Sequence, residues 1–169
     1  FYSTWSVSST STLSTGGTQN GFVAKLSATG EWLWAKQVDC SCSTNAVAIT
    51  VDLNGNPYVT GDYNSGPVSF DNIVLGPAGG GLDVFVYKLD TNGSAQWALA
   101  GGSQGSDRGN GLTIDSIGNL YVTGEYNNLV NFGSFSIPNR GHYDTFLTKL
   151  SVDYDGDTIP DIIDEDDDD

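Results

Sequence analysis

The side chains best placed to do chemistry in this chain are carboxylates near its C-terminal end. Asp153, Asp155, Asp157, Asp161 and Asp164 fall at positions 1, 3, 5, 9 and 12 of a twelve-residue run. That spacing suits a hard cation, because a tightly turned loop points alternate side chains inward and Ca²⁺ takes about six to eight oxygen ligands. Position 7 of such a loop usually contributes a backbone carbonyl, here that of Ile159. Gly156, Pro160, Ile162 and Ile163 are interleaved as a folded loop requires and as a random acidic run is not. Ca²⁺ is therefore the expected cofactor; without it the carboxylates repel one another and the segment is expected to be disordered. Glu165 to Asp169, the uninterrupted acidic cluster that follows, reads instead as a solvated tail.

No other constellation points to catalysis. His142 is the single histidine, and Gly141-His142-Tyr143 precedes an apolar run with no nucleophile motif. P-loop, dinucleotide-fingerprint and zinc-protease patterns are missing from the sequence. Acids distant in the chain can meet as a glycosidase pair. Outside the tail, however, acids are few, and several recur at repeat-equivalent positions, Asp52 with Asp115 and Asp62 with Glu125, as turn-forming residues do. The expectation is a protein that is not an enzyme. A net charge of -15 argues against general affinity for nucleic acid, which needs clustered Lys and Arg. No stretch approaches the roughly 20 apolar residues of a membrane span, so membrane insertion is not expected.

Smaller signals carry two readings each. Cys40 and Cys42, separated by Ser41, form a local disulfide or an intermolecular link, or are free small residues in a turn; two thiols alone do not make a zinc site. Asn92-Gly93-Ser94 matches the N-glycosylation acceptor, with Asn92 in a turn. Trp34 and Trp97 recur in equivalent positions and read as core. Trp5 and Trp32 have no counterpart in another copy. They are candidates for an exposed platform, contacting sugar or a neighbouring subunit, or they pack locally.

These residues must be positioned by strands. FVAKL, Phe22 to Leu26, recurs as FVYKL, Phe85 to Leu89, and as FLTKL, Phe146 to Leu150, at spacings of about 63 and 61 residues. VDLNGNPYVTGDYN, Val51 to Asn64, recurs as IDSIGNLYVTGEYN, Ile114 to Asn127. In the first copy, Phe22, Ala24 and Leu26 alternate with Val23 and Lys25, which predicts a strand with Lys25 on its wetter face. Thr29-Gly30 and Asn92-Gly93 predict hairpin turns. Glu31 to Lys36 returns as a strand with Trp32, Trp34 and Lys36 on one face. A third strand ends at Asp52 or Asp115 and a fourth runs through Tyr58 to Gly61 or Tyr121 to Gly124, while Val68–Leu75 and Val130–Ile137 read as looser connections. The predicted fold is all-β: antiparallel four-stranded meanders of about 63 residues, blade-like, plus a short acidic calcium loop.

The pattern D-x-F-V-x-K-L, W-A, V-D-x-x-G-N-x-Y-V-T-G, carried by Asp83 to Leu89, Trp97-Ala98 and Ile114 to Gly124, resembles the bacterial β-propeller repeat family called SBBP. The resemblance covers most of residues 1–150, implies a secreted or cell-surface setting, and says little about function. Asn20 stands where Asp83 and Asp144 stand in the later copies, so the role of that carboxylate does not carry over. The segment from Asp153 is similar to thrombospondin type 3 calcium repeats, with Thr158 where those repeats have Gly. Asp115-Ser116-Ile117 and Asp157-Thr158-Ile159 look like bacterial O-glycosylation acceptors, marking Ser116 and Thr158 as candidate attachment points. The expected organisation is a partial unit at 1–21, units at 22–84 and 85–145, the first strand of a further unit at 146–150, and an acidic calcium-binding tail at 151–169. Repeats cut at both ends expose strand edges, which a longer propeller or a second molecule would complete. The expected function is that of an extracellular structural subunit, a homopolymer formed through strand edges as a fibre or surface layer and stabilised by calcium. The alternative is a carbohydrate-binding or adhesive module of a large surface protein, with glycans as partners.

Overall fold

The computed structural model describes residues 4–8, 11–14, 19–132 and 135–150; from 4 to 14 only the side chain of Leu13 is described. Every regular element among them is a strand. In chain order these are β1 (Thr4–Ser8), β2 (Ser11–Ser14), β3 (Phe22–Leu26), β4 (Trp32–Gln37), β5 (Asp39–Cys40), β6 (Thr44–Val51), β7 (Pro57–Asn64) and β8 (Val68–Phe70). They continue with β9 (Ile73–Leu75), β10 (Leu82–Leu89), β11 (Ala95–Gly101), β12 (Arg108–Ile114), β13 (Leu120–Tyr126), β14 (Val130–Phe132), β15 (Phe135–Ile137) and β16 (Asp144–Leu150). All of their pairings are antiparallel. The all-β class read from the alternation of apolar and polar residues is the class observed.

One sheet is a complete four-stranded meander in the order β6-β7-β10-β11. The sheet β12-β13-β16 repeats its first three positions, and the pair β3-β4 repeats its last two. The sheets are therefore out of phase with the repeats chosen from sequence. Residues 22–84 do not fold into one sheet; β3 and β4 close one, while β6 and β7 open the next. Pairing follows the short loop between β6 and β7 and between β10 and β11, whereas β4 runs into β5 and a bend at Ser41-Cys42 before β6 begins. The segments read as loose connections are hairpins, β8-β9 and β14-β15. Asp71, at a φ of 52°, makes the bend between β8 and β9. Tyr63 and its equivalent Tyr126 fasten the loops after these hairpins, donating to the carbonyls of Gly76 (3.1 Å) and Pro138 (3.3 Å).

The complete sheet is covered on both sides, and alternation along its strands divides the core in two. Val84 and Val86 of β10 join Tyr58, Trp97, Leu120, Val122, Phe146 and Leu150 in one cluster. Phe85, Tyr87 and Leu89, pointing the other way, join Val23, Val38, Val59, Tyr63 and Phe70 in the second. Trp97 is buried edge-on against Tyr58, centroids 6.0 Å apart. Its equivalent, Trp34, is only partly buried, its Nε1 donating to the Thr91 carbonyl at 3.1 Å.

The first copy reverses the expected facing of β3. Val23 is buried, while Phe22 and Leu26 are each 47% exposed. Val23 faces the complete sheet; on the opposite face Ala24 and Ala35 pack with Leu13 of β2, while Phe22 and Leu26 stay half open. Lys25 reaches the Thr91 carbonyl at 3.0 Å rather than projecting into water.

Candidate functional site

The recurring Phe strand shows what each copy needs. Phe85 pairs across β7 with Gly61, and Phe146 pairs across β13 with Gly124. Each ring lies over its glycine: an ideal Cβ on Gly61 would stand 2.9 Å from the Phe85 ring, and one on Gly124 would stand 2.6 Å from that of Phe146. The threonine before each glycine donates to the carbonyl of the same phenylalanine, Thr60 to Phe85 and Thr123 to Phe146, both at 2.9 Å. The Tyr-Val-Thr-Gly strand is thus a receptor for the Phe strand, built from ring-on-glycine packing and a hydroxyl clamp. Among the described strands β3 pairs with β4 alone.

Exposed apolar surface lies near this pair. Ile49 and Val51 of β6 are 54% and 52% exposed, and Val47 and Ile49 line a groove together with Phe22 of the separate β3-β4 sheet. Their equivalents on β12, Leu112 and Ile114, pack against the core cluster that holds Tyr58, Val84 and Val86. At the other end of the described structure, Leu147 of β16 is 71% exposed, although its equivalent Val86 is buried.

Carboxylates serve mainly as local fasteners. Asp52 Oδ1 accepts from the Asn54 and Asn56 amides (2.9 and 2.8 Å), and Asp115 Oδ1 repeats this with Ile117 and Asn119 (3.1 and 2.9 Å). Hydrogen bonding from the Asn119 side chain, with the amides behind it, holds Asp115 below the usual carboxylate range. Asp62 and Glu125, grouped with these in the sequence reading, sit on strands instead. Asn45 Nδ2 donates to Asp62 at 2.7 Å, and Arg108 pairs with Glu125 at 2.8 Å. Asp83 accepts from the Gly79 amide at 2.7 Å, and Asp144 accepts from that of Arg140 at 2.6 Å, so the motif carboxylate ties down the loop before the Phe strand. Asn20, their counterpart, has a buried Oδ1 without a hydrogen-bond partner among the described residues.

A buried acidic pair was not legible in the sequence. Ser103 donates its amide to Asp83 (3.3 Å) and its hydroxyl to the fully buried Asp107 (2.7 Å), bringing two carboxylates to one serine. Burial pushes Asp107, Asp83 and Asp62 above the usual carboxylate range, and Asp83 adds to the effect on Asp107. Thr44 occupies the equivalent place in the preceding copy, so the repeat gave no acidic signal there.

The remaining candidate residues are scattered. Asn92 and Ser116 are exposed in turns, 24 positions apart in the chain and on different sheets' edges. Cys40 and Cys42 are joined to each other, Cα atoms 4.9 Å apart. Trp32 is 37% exposed on β4 beside Leu33 at 51%. Trp5 lies on β1, opposite Leu13 of β2; its side chain lies outside the described residues. Asp153, Asp155, Asp157, Thr158, Ile159, Asp161 and Asp164 also lie outside them, and among the described residues no group of three or more metal-ligating side chains is gathered.

Fold and receptor strands together define an all-β repeat protein whose units pair by a shared Phe-on-Gly contact. Residues 96–128, from β11 through β13, match the family model described as Beta-propeller repeat, SBBP. The matched stretch includes the Tyr121-Val122-Thr123-Gly124 receptor strand. No curated protein matches the chain.

Proposed function

We propose that this chain is an extracellular structural protein, a β-repeat subunit that self-associates into a fibre or surface layer, with calcium ordering residues 153–164. The observation that carries this reading is β3. Among the described residues it pairs with β4 alone, whereas its sequence equivalents β10 and β16 each dock on a Tyr-Val-Thr-Gly strand. An unpaired strand edge with such a pattern is a template for another chain. The Cys40–Cys42 link supports an oxidising, extracellular setting. No catalytic role is assigned; His142 is exposed in the turn before β16. Light scattering and negative-stain microscopy of the purified chain test the reading. Ordered assemblies that grow with concentration are expected, and a monomer at all concentrations would refute it.

The aromatic surface of β4 favours carbohydrate binding as a second reading. Trp32 and Leu33 are both accessible on an edge strand that packs beside the β1-β2 hairpin, which bears Trp5. Binding to a glycan array that is lost in Trp32→Ala would select it over the structural role.

A further inference from the structure

We infer that Cys40 and Cys42 are a redox-active pair that hands its disulfide to a dithiol, a protein segment with two reduced cysteines close together. The pair closes the bend at Ser41-Cys42 between β5 and β6, with its Cα atoms 4.9 Å apart. The next copy makes the same bend without a disulfide. Cys40, Ser41 and Cys42 align with Ser103, Gln104 and Gly105, between β11 and β12. There the Gly105 amide donates to Ser103 Oγ at 2.9 Å; here the Cys42 amide donates to Cys40 Sγ at 3.0 Å. The following residue is fastened alike in both copies. The Ser43 amide donates to Asn64 Oδ1 at 3.0 Å, and the Ser106 amide to Asn127 Oδ1 at 2.6 Å. A bend that one copy holds by these hydrogen bonds does not need a covalent closure in the other. Nor does a ring over a single intervening residue add much, because the freedom a disulfide removes from the unfolded chain grows with the loop it closes. The bond is expendable to the fold, and exchange is the chemistry left to it.

The surroundings suit both redox states and divide the roles of the two sulfurs. Cys40 is partly exposed beside the exposed Ser41, whereas Cys42 is buried. Cys40 Sγ lies 3.4 Å from the Pro67 carbonyl oxygen, and Cys42 Sγ lies 4.0 Å from that of Gly66. Each thiol therefore has an acceptor at hand once the pair is reduced. The Cys42 amide, aimed at Cys40 Sγ, favours the thiolate on that sulfur. In the exchange, a thiolate of the dithiol attacks Cys40 Sγ, the reachable sulfur, and the electron pair of the broken S–S bond leaves on Cys42. The second thiolate of the dithiol then attacks its own partner sulfur in the mixed disulfide, and Cys40 departs. The dithiol has lost two electrons and two protons, and Cys40 and Cys42 have gained them.

The test mixes the oxidised full-length chain with a reduced synthetic peptide whose two cysteines are separated by two residues. Thiols are trapped with maleimide and counted by mass spectrometry. One disulfide per chain is expected to pass to the peptide under native conditions, with the circular dichroism of the strands unchanged. A second peptide, with a single cysteine activated as its thionitrobenzoate disulfide, separates the two sulfurs. The Cys40 thiol of Cys42→Ser is expected to capture it about tenfold faster, or more, than the Cys42 thiol of Cys40→Ser. Cys40→Ser with Cys42→Gly copies the Ser103-Gln104-Gly105 arrangement; it is expected to melt close to wild type and to transfer nothing. Exchange by wild type only after urea has unfolded it would overturn the inference. Loss of the fold in reduced wild type, or in the double variant, would overturn it too, since the disulfide would then be a structural closure.

Discussion

The three equivalent phenylalanines offer a graded measurement of how each sheet is covered. Phe85 is 0% exposed, Phe146 is 4% exposed and Phe22 is 47% exposed. Truncating a buried phenylalanine to alanine costs about 3–5 kcal/mol, because a cavity remains as well as the lost transfer energy. Phe85→Ala should fall at the upper end of that range, since its ring is enclosed by Phe70 and Tyr87, with centroids 5.4 and 5.8 Å away. Phe146→Ala should cost roughly 3 kcal/mol, because β16 has one open face and can settle into part of the space. For Phe22→Ala, about half of the roughly 1.5–3 kcal/mol of full burial is available and no closed cavity forms, so about 1 kcal/mol is expected. Urea unfolding followed by tryptophan fluorescence gives the three values, at high dilution so that association does not add to stability. Equal costs for Phe22→Ala and Phe85→Ala in the dilute monomer would refute the half-exposed placing of Phe22 on β3.

Gly61→Ala should destabilise by roughly 3 kcal/mol, because the new Cβ meets the Asn45 carbonyl oxygen in addition to the Phe85 ring. Gly76→Ala, with nothing within 4 Å of its Cβ, should instead stabilise by about 0.4–1 kcal/mol, and the same urea titration checks both. Asp62, Asp83 and Asp107 hold protons more tightly folded than unfolded, so their contribution is fully present below the ordinary value of 3.8 and is lost as pH rises through their raised values. The melting temperature should therefore fall from pH 4 towards pH 7, and Asp107→Asn should flatten that slope; an unchanged slope would remove Asp107 from the account. Calcium titrated into the full chain should bind and release heat, and Asp155→Asn with Asp157→Asn should weaken binding by tenfold or more. Unchanged affinity in that double variant would dispose of the 153–164 loop.

Much of this fold is local, and the local part was readable from the chain. Alternation marked the strands at Phe22, Phe85 and Phe146, glycine after a polar residue marked the turns at Gly30 and Gly93, both at a φ of 84°, and recurrence marked Gly61 and Gly124. Each of these depends on a few neighbouring residues. Which strands share a sheet does not: β3 and β6 belong to one repeat in sequence and to different sheets in space. A period of two says that Phe22 and Val23 face opposite ways, but only the arrangement of sheets decides that Val23 is fully covered and Phe22 only half so. Asp83 and Asp107 meet at Ser103 partly for the same reason: Ser103 and Asp107 are neighbours in the loop between β11 and β12, but only the fold brings that loop onto Asp83 of β10.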